Sequence, residues 1–141
     1  MYDRRSGWEY DNDAWCFDTQ FSDENKVVEI QVNREFSEAE ALTYAEFYGE
    51  AIGRVPKMLR KDLDTVWIHA GNNAFGGGNR NFLIHTEQGE WYIRNGILDE
   101  TFIHEGAHTS LDSYVYGTDA WEAAVELDMY RYVSDYARDN P

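Results

Sequence analysis

The string Thr101-Phe102-Ile103-His104-Glu105-Gly106-Ala107-His108 holds the residues best equipped for chemistry. Histidines four positions apart lie one turn apart on the same face of an α-helix. Their imidazoles can converge on a single ion, and the H-E-x-x-H spacing is a zinc-binding signature. The glutamate beside the first histidine can reach a water on that ion and take its proton. One motif therefore offers two metal ligands, His104 and His108, and a general base, Glu105.

A catalytic zinc usually has a third protein ligand. Asp112 follows His108 by four residues on the same stripe, but its short side chain reaches poorly to an ion held by 104 and 108. Orienting a histidine is its more natural role. Asp119, just after Gly117-Thr118, suits a helix N-cap or first turn. Glu122 and Glu126 fall on a predicted last helix, and Glu122 joins Asp112 as a weaker ligand candidate. His69 and His85 lie on predicted strands, where hydrogen bonding within the fold is the commoner fate of a histidine. Tyr114 and Tyr116 could donate to a developing oxyanion, with packing the more ordinary role.

The elements that must position these groups read as α+β. Ala14 to Phe21 and Lys26 to Val32 read as a strand pair, with Val28, Ile30 and Val32 on one face. Ser37 and Glu40 form a capping box that starts a helix running to about Val55. Pro56 breaks the chain before a strand at Thr65 to His69. Gly71 to Arg80, with its glycine triplet, reads as a flexible connection. Asn81 to Thr86 and Trp91 to Ile93 read as a second hairpin. From Leu98 the pattern is helical, with Ile103, Ala107, Leu111 and Tyr114 (or Ser110) as its apolar stripe and Gly117 as its stop. A last helix from Asp119 carries Ala120, Ala123, Ala124, Leu127, Tyr130 and Val133. The sum is one domain over 1–141: a small, twisted, mostly antiparallel sheet, a backing helix, the H-E-x-x-H helix and a C-terminal helix.

Composition limits the partners. The 141 residues carry 27 acidic against 12 basic groups, a net charge of -15. Nucleic acid and anionic membrane surfaces are poor partners for such a chain. The single cysteine, Cys16, excludes an internal disulfide and a cysteine zinc cluster. Residues Met1 to Tyr10 are polar and form neither a signal peptide nor a membrane span.

Five longer strings extend the motif: Thr-Val-Trp-Ile-His (65–69), Phe-Gly-Gly-Gly-Asn (75–79), Leu-Ile-His-Thr (83–86), His-Glu-Gly-Ala-His-Thr-Ser-Leu-Asp (104–112) and Ser-Asp-Tyr-Ala-Arg-Asp-Asn-Pro (134–141). In these the chain resembles a family of bacterial, mostly exported and little-characterised zinc metallopeptidases of the zincin group. The resemblance implies a zincin-like (gluzincin-like) fold, Zn2+ held by His104 and His108, Glu105 as base, a peptide or protein substrate and an extracytoplasmic location. It also implies a Glu-Asp-x-Ala-Glu segment shortly after the Tyr-Ala-Arg-Asp-Asn-Pro string. That places the third ligand beyond Pro141, with a weakened metal site in the 141 residues alone. The rival expectation is a zincin-type scaffold that binds without catalysis, motivated by the abundant aromatics and the incomplete ligand set. Neither substrate specificity nor oligomeric state is legible.

Overall fold

Alternating apolar residues build the centre of the sheet. In this computed structural model, residues 1–9 and 13–131 are described, with side chains as far as Leu127. The chain runs β1 (Tyr2–Asp3), β2 (Gly7–Trp8), β3 (Ala14–Gln20), β4 (Val27–Asn33), α1 (Glu38–Gly53), α2 (Lys57–Arg60), β5 (Thr65–His69), β6 (Gly76–Gly78), β7 (Asn81–His85), α3 (Thr86–Arg94), α4 (Leu98–Ser110), α5 (Asp112–Val115) and α6 (Asp119–Arg131). Val28, Ile30 and Val32 of β4 are buried, as are Val66 and Ile68 of β5 and Phe82 and Ile84 of β7. Period-2 alternation puts each set on one face. Ala45, Tyr48 and Ile52 of α1 and Phe102 of α4 join them in the core.

α1 starts where its capping box predicts. The Ser37 side chain accepts from the Glu40 amide while the Glu40 carboxylate accepts from the Ser37 amide. Gly49 faces the sheet with room to spare: a Cβ there would stand an ordinary 3.5 Å from Ile30 Cδ1.

The fold is α+β, but the sheet is mixed rather than mostly antiparallel. Its order is β3-β4-β5-β7-β6. The outer pairs β3–β4 and β6–β7 are antiparallel, while β4, β5 and β7 run parallel. The long α1 crossover between β4 and β5 permits parallel pairing, which a tight turn cannot.

The hairpin ahead of the H-E-x-x-H helix is β6–β7, not Asn81–Ile93. Asn79 and Arg80 form its two-residue turn, at φ 49° and 61°. Two left-handed residues match the twist of a tight hairpin. The glycine triplet expected to be a flexible connection is thus an edge strand. Trp91 to Ile93 belong to α3, with Trp91 and Ile93 exposed and Thr86, Gly89 and Tyr92 turned inward. Gly89 fits only because it has no side chain, since a Cβ would lie 2.0 Å from the Tyr48 hydroxyl.

The N-terminal segment forms the β1–β2 ladder, pairing Tyr2 with Trp8. Residues 119–127 of α6 are exposed, so the apolar stripe expected there is unpacked among the described residues. The Tyr130 side chain and Val133 lie outside them. No helix among the described residues is long and apolar enough to cross a membrane.

Candidate metal centre

α4 positions the motif, and its rotation differs from the sequence expectation. The buried positions are Leu98, Phe102, Glu105, Gly106, Thr109 and Ser110. Ile103 and Tyr114 are exposed instead. The buried stripe lies one residue, about 100°, from the one expected. Close backbone approach sets this phase. A Cβ on Gly106 would lie 2.9 Å from Leu59 O, and one on Gly77 would lie 2.0 Å from Glu105 O. β6 therefore rests directly on the turn that carries Glu105.

The two histidines face each other. His104 Nε2 and His108 Nε2 are 3.1 Å apart, with rings at 83°. Nitrogens bound to one tetrahedral zinc at about 2.0–2.1 Å stand roughly 3.3 Å apart, so the pair has the spacing of two zinc ligands. His108 Nδ1 lies 2.7 Å from Asp112 Oδ2. The carboxylate assigns the proton to Nδ1 and leaves the Nε2 lone pair free for an ion. Asp112 is therefore spent on orienting His108, and its ligand candidacy falls away.

Glu105 completes the cluster. One carboxylate oxygen and one nitrogen from each histidine all lie within 4.8 Å of one another. Glu105 is only 9% exposed. Burial raises its pKa, opposed by His104, His108, Arg4 and the Gly77 amide. Two imidazoles with a carboxylate beside them form a group that could hold a metal ion.

Two clefts flank the cluster. One of about 330 Å³ is lined by Tyr92, Ile97, Thr101, His104 and Glu105. Another of about 500 Å³ is lined by Gly78, Asn79, Arg80, His108 and Asp112. A larger hollow of about 730 Å³, between Thr19–Asp23 and Ala45–Gly53, contains no imidazole, so the chemistry favours the smaller clefts.

Glu122 does not join the cluster among the described residues. Thr118, rather than Asp119, caps α6, its hydroxyl accepting from the Trp121 amide at 3.2 Å. Asp119 sits in the first turn. The position expected for a third ligand, beyond Pro141, lies outside the described residues. Tyr114 stacks under Lys61, and Tyr116 meets Trp121, which leaves both in surface packing.

His69 and His85 belong to a different group that the sequence did not reveal. Asn33, His69 and His85, at the carboxyl ends of β4, β5 and β7, gather around Asp3 of β1. Asp3, Glu35 and His69 bring ligand atoms within 4.8 Å of one another. A guanidinium already fills the cation's role there: Arg5 Nη2 is 2.6 Å from Asp3 Oδ2 and 2.6 Å from Glu35 Oε1. Burial lowers the His69 pKa, with His85 and Arg5 adding to it against Asp3 and Glu9. His85 Nδ1 meets Ala70 O at 2.9 Å, while Nε2 of both histidines is buried without a hydrogen-bond partner among the described residues. The group fastens the N-terminal ladder to the sheet. Its one legible signal was the pair of histidines closing strands of equal length.

The chain matches no protein-family model, no curated protein and no solved structure.

Proposed function

We propose that the protein is a zinc-dependent peptidase with a zincin-like arrangement. The facing Nε2 atoms of His104 and His108, 3.1 Å apart and beside a buried Glu105, carry this reading. A mixed sheet backed by α1, with an antiparallel edge strand lying on the H-E-x-x-H helix, supports it.

His104 and His108 would hold the ion, and Asp112 fixes the tautomer and rotation of His108. Zinc, when bound, polarises a scissile carbonyl and makes a water more acidic. Glu105 takes the proton of the attacking water and delivers it to the leaving amine. Its raised pKa suits a group that must both accept and return a proton.

The substrate is an extended peptide that adds a strand to the sheet. β7 is paired on both sides, with β5 and β6, and offers no edge to such a strand. The next strand, β6, is one of the two outer strands of the sheet, with β3 the other. The extracytoplasmic location follows from the family resemblance alone.

The test is casein hydrolysis by the zinc-loaded protein, with and without chelator, beside Glu105→Gln. Chelator-sensitive cleavage that falls at least ~100-fold in Glu105→Gln supports the reading. Zinc binding with no turnover would move the protein to the rival reading, a zincin-type scaffold that binds without catalysis. Chelator-resistant cleavage would sink both.

A further inference from the structure

β6 is a ribbon of three glycines with different neighbours on its two faces. A Cβ on Gly77 would run into Glu105 O at 2.0 Å, whereas one on Gly76 would meet Arg4 Nη2 at 2.9 Å and Leu83 Cβ at 3.6 Å. Bare backbone thus separates the candidate base from a second groove. That groove, about 310 Å³, is lined by Tyr2, Arg4, Trp8, Trp67, Asn81 and Leu83 beside the β6 glycines. Any side chain at position 76 would crowd it.

The groove pairs an aromatic wall with one cation. Trp8 meets Trp67 edge-on at 5.8 Å and Tyr2 at 5.4 Å, and Trp8 is 58% exposed. Arg4 Nη2 donates to Phe75 O at 3.0 Å, which holds the guanidinium at the head of the groove. That bond occupies one of five N–H donors. In a chain of 27 acidic and 12 basic groups, Arg4 forms no ion pair among the described residues. Its neighbour Arg5 bridges Asp3 and Glu35 instead. A cation left unpaired amid such an excess of carboxylates, beside exposed aromatic surface, is suited to a carboxylate brought from outside.

We propose that this groove is a substrate subsite for a carboxylate-bearing peptide segment, with Arg4 pairing the carboxylate and Trp8 and Trp67 packing the apolar part of the segment. The inference rests on the peptidase reading and adds its specificity. A peptide paired to the outer edge of β6 points alternate side chains to opposite faces. One set faces α4, where Glu105 lies, and the next faces Arg4. The carboxylate therefore sits on a residue adjacent in sequence to one that faces the α4 side. It comes either from an Asp or Glu side chain or from the peptide's own C-terminus.

The test is fluorescence anisotropy of labelled hexapeptides that share one aromatic residue, titrated with Glu105→Gln protein so that no turnover intervenes. One pair differs by Glu against Gln next to the aromatic residue, and the other by a free against an amidated C-terminus. The carboxylate form of one pair should bind roughly 10-fold more tightly, which identifies the source. Adding Arg4→Gln should bring that ratio close to one, Arg4→Lys should keep part of it, and Trp8→Ala should weaken both members of the pair. Circular dichroism confirms that each variant is folded. Equal affinity within both pairs, or a preference that survives Arg4→Gln, would overturn the proposal. A preference present in binding, with no hydrolysis by the zinc-loaded wild type, would remove the peptidase reading and leave the subsite as a binding groove.

Discussion

Gly77→Ala probes the contact that ties the edge strand to the candidate base. The added Cβ would lie 2.0 Å from Glu105 O, 2.7 Å from its carbonyl carbon and 2.8 Å from its Cα. All three are backbone atoms, so no change of rotamer relieves the clash. Since real Cβ atoms keep beyond 3.0 Å, β6 and α4 must part by at least about 1 Å. Overpacking of this kind costs about 2–3 kcal/mol. For a domain of this length that is a fall in Tm of roughly 6–12 °C. The displacement falls on the peptide of Glu105 itself, and a shift of about 1 Å at a catalytic group can cost on the order of 100-fold in rate. The assays are thermal melting, followed by kcat/KM for a quenched peptide at a temperature well below both melting points. Gly49→Ala is the control: its Cβ would meet Ile30 Cδ1 at an ordinary 3.5 Å. Replacing a mid-helix glycine by alanine there should stabilise by about 0.5–1 kcal/mol. A Gly77→Ala protein that melts within ~1 °C of wild type and keeps its activity would refute the reasoning that places β6 on the base.

Three further outcomes are expected. Asp112→Asn should weaken zinc binding about 10–100-fold, read by competition with a chromophoric chelator, because the carboxylate that orients His108 is lost. Arg60→Ala should lower stability by about 3 kcal/mol in urea unfolding: Arg60 is 2% exposed and donates to Val55 O, Asp23 and Glu24, and Glu24 would be left nearly buried without its partner. His69 is held neutral by burial, so its folded-state pKa lies below its unfolded value of about 6.5. The unfolded state then takes up the proton first as pH falls, and stability present above pH ~6.5 is progressively lost below it. His69→Gln should flatten the melting temperature between about pH 6.5 and 5, a range above the titration of Asp3 and Glu35, whose pKa values are lowered from ordinary carboxylate values. An unchanged slope in that variant would remove His69 as the cause.

Where local chemistry decides structure, the sequence was legible. The Ser37–Glu40 capping box and the alternation of Val28, Ile30 and Val32 led directly to α1 and β4. The spacing of His104 and His108 led to the facing pair. Errors arose where a distant partner decides. Trp91-Tyr92-Ile93 has strand propensity, yet it is helical, with Tyr92 packed on Phe75 and Gly89 close against Tyr48. Three glycines read as a flexible connection, yet β7 supplies a ladder for them. The phase of α4 is set by Leu59 and Gly77, and the better clue was Phe102, fully buried and four residues before Gly106. The Asp3–His69 group joins segments remote in sequence, and its only local trace is that His69 and His85 each close a five-residue strand.

Zinc stoichiometry by elemental analysis after equilibrium dialysis is the most direct check on the central claim, run on wild type, His104→Ala, His108→Ala, Glu105→Gln and His69→Ala. The facing imidazoles predict one zinc per chain in wild type, Glu105→Gln and His69→Ala, and its loss in His104→Ala and His108→Ala. Zinc retained by both α4 histidine variants, or lost only in His69→Ala, would contradict the account and move the metal to the Asp3–Glu35–His69 group.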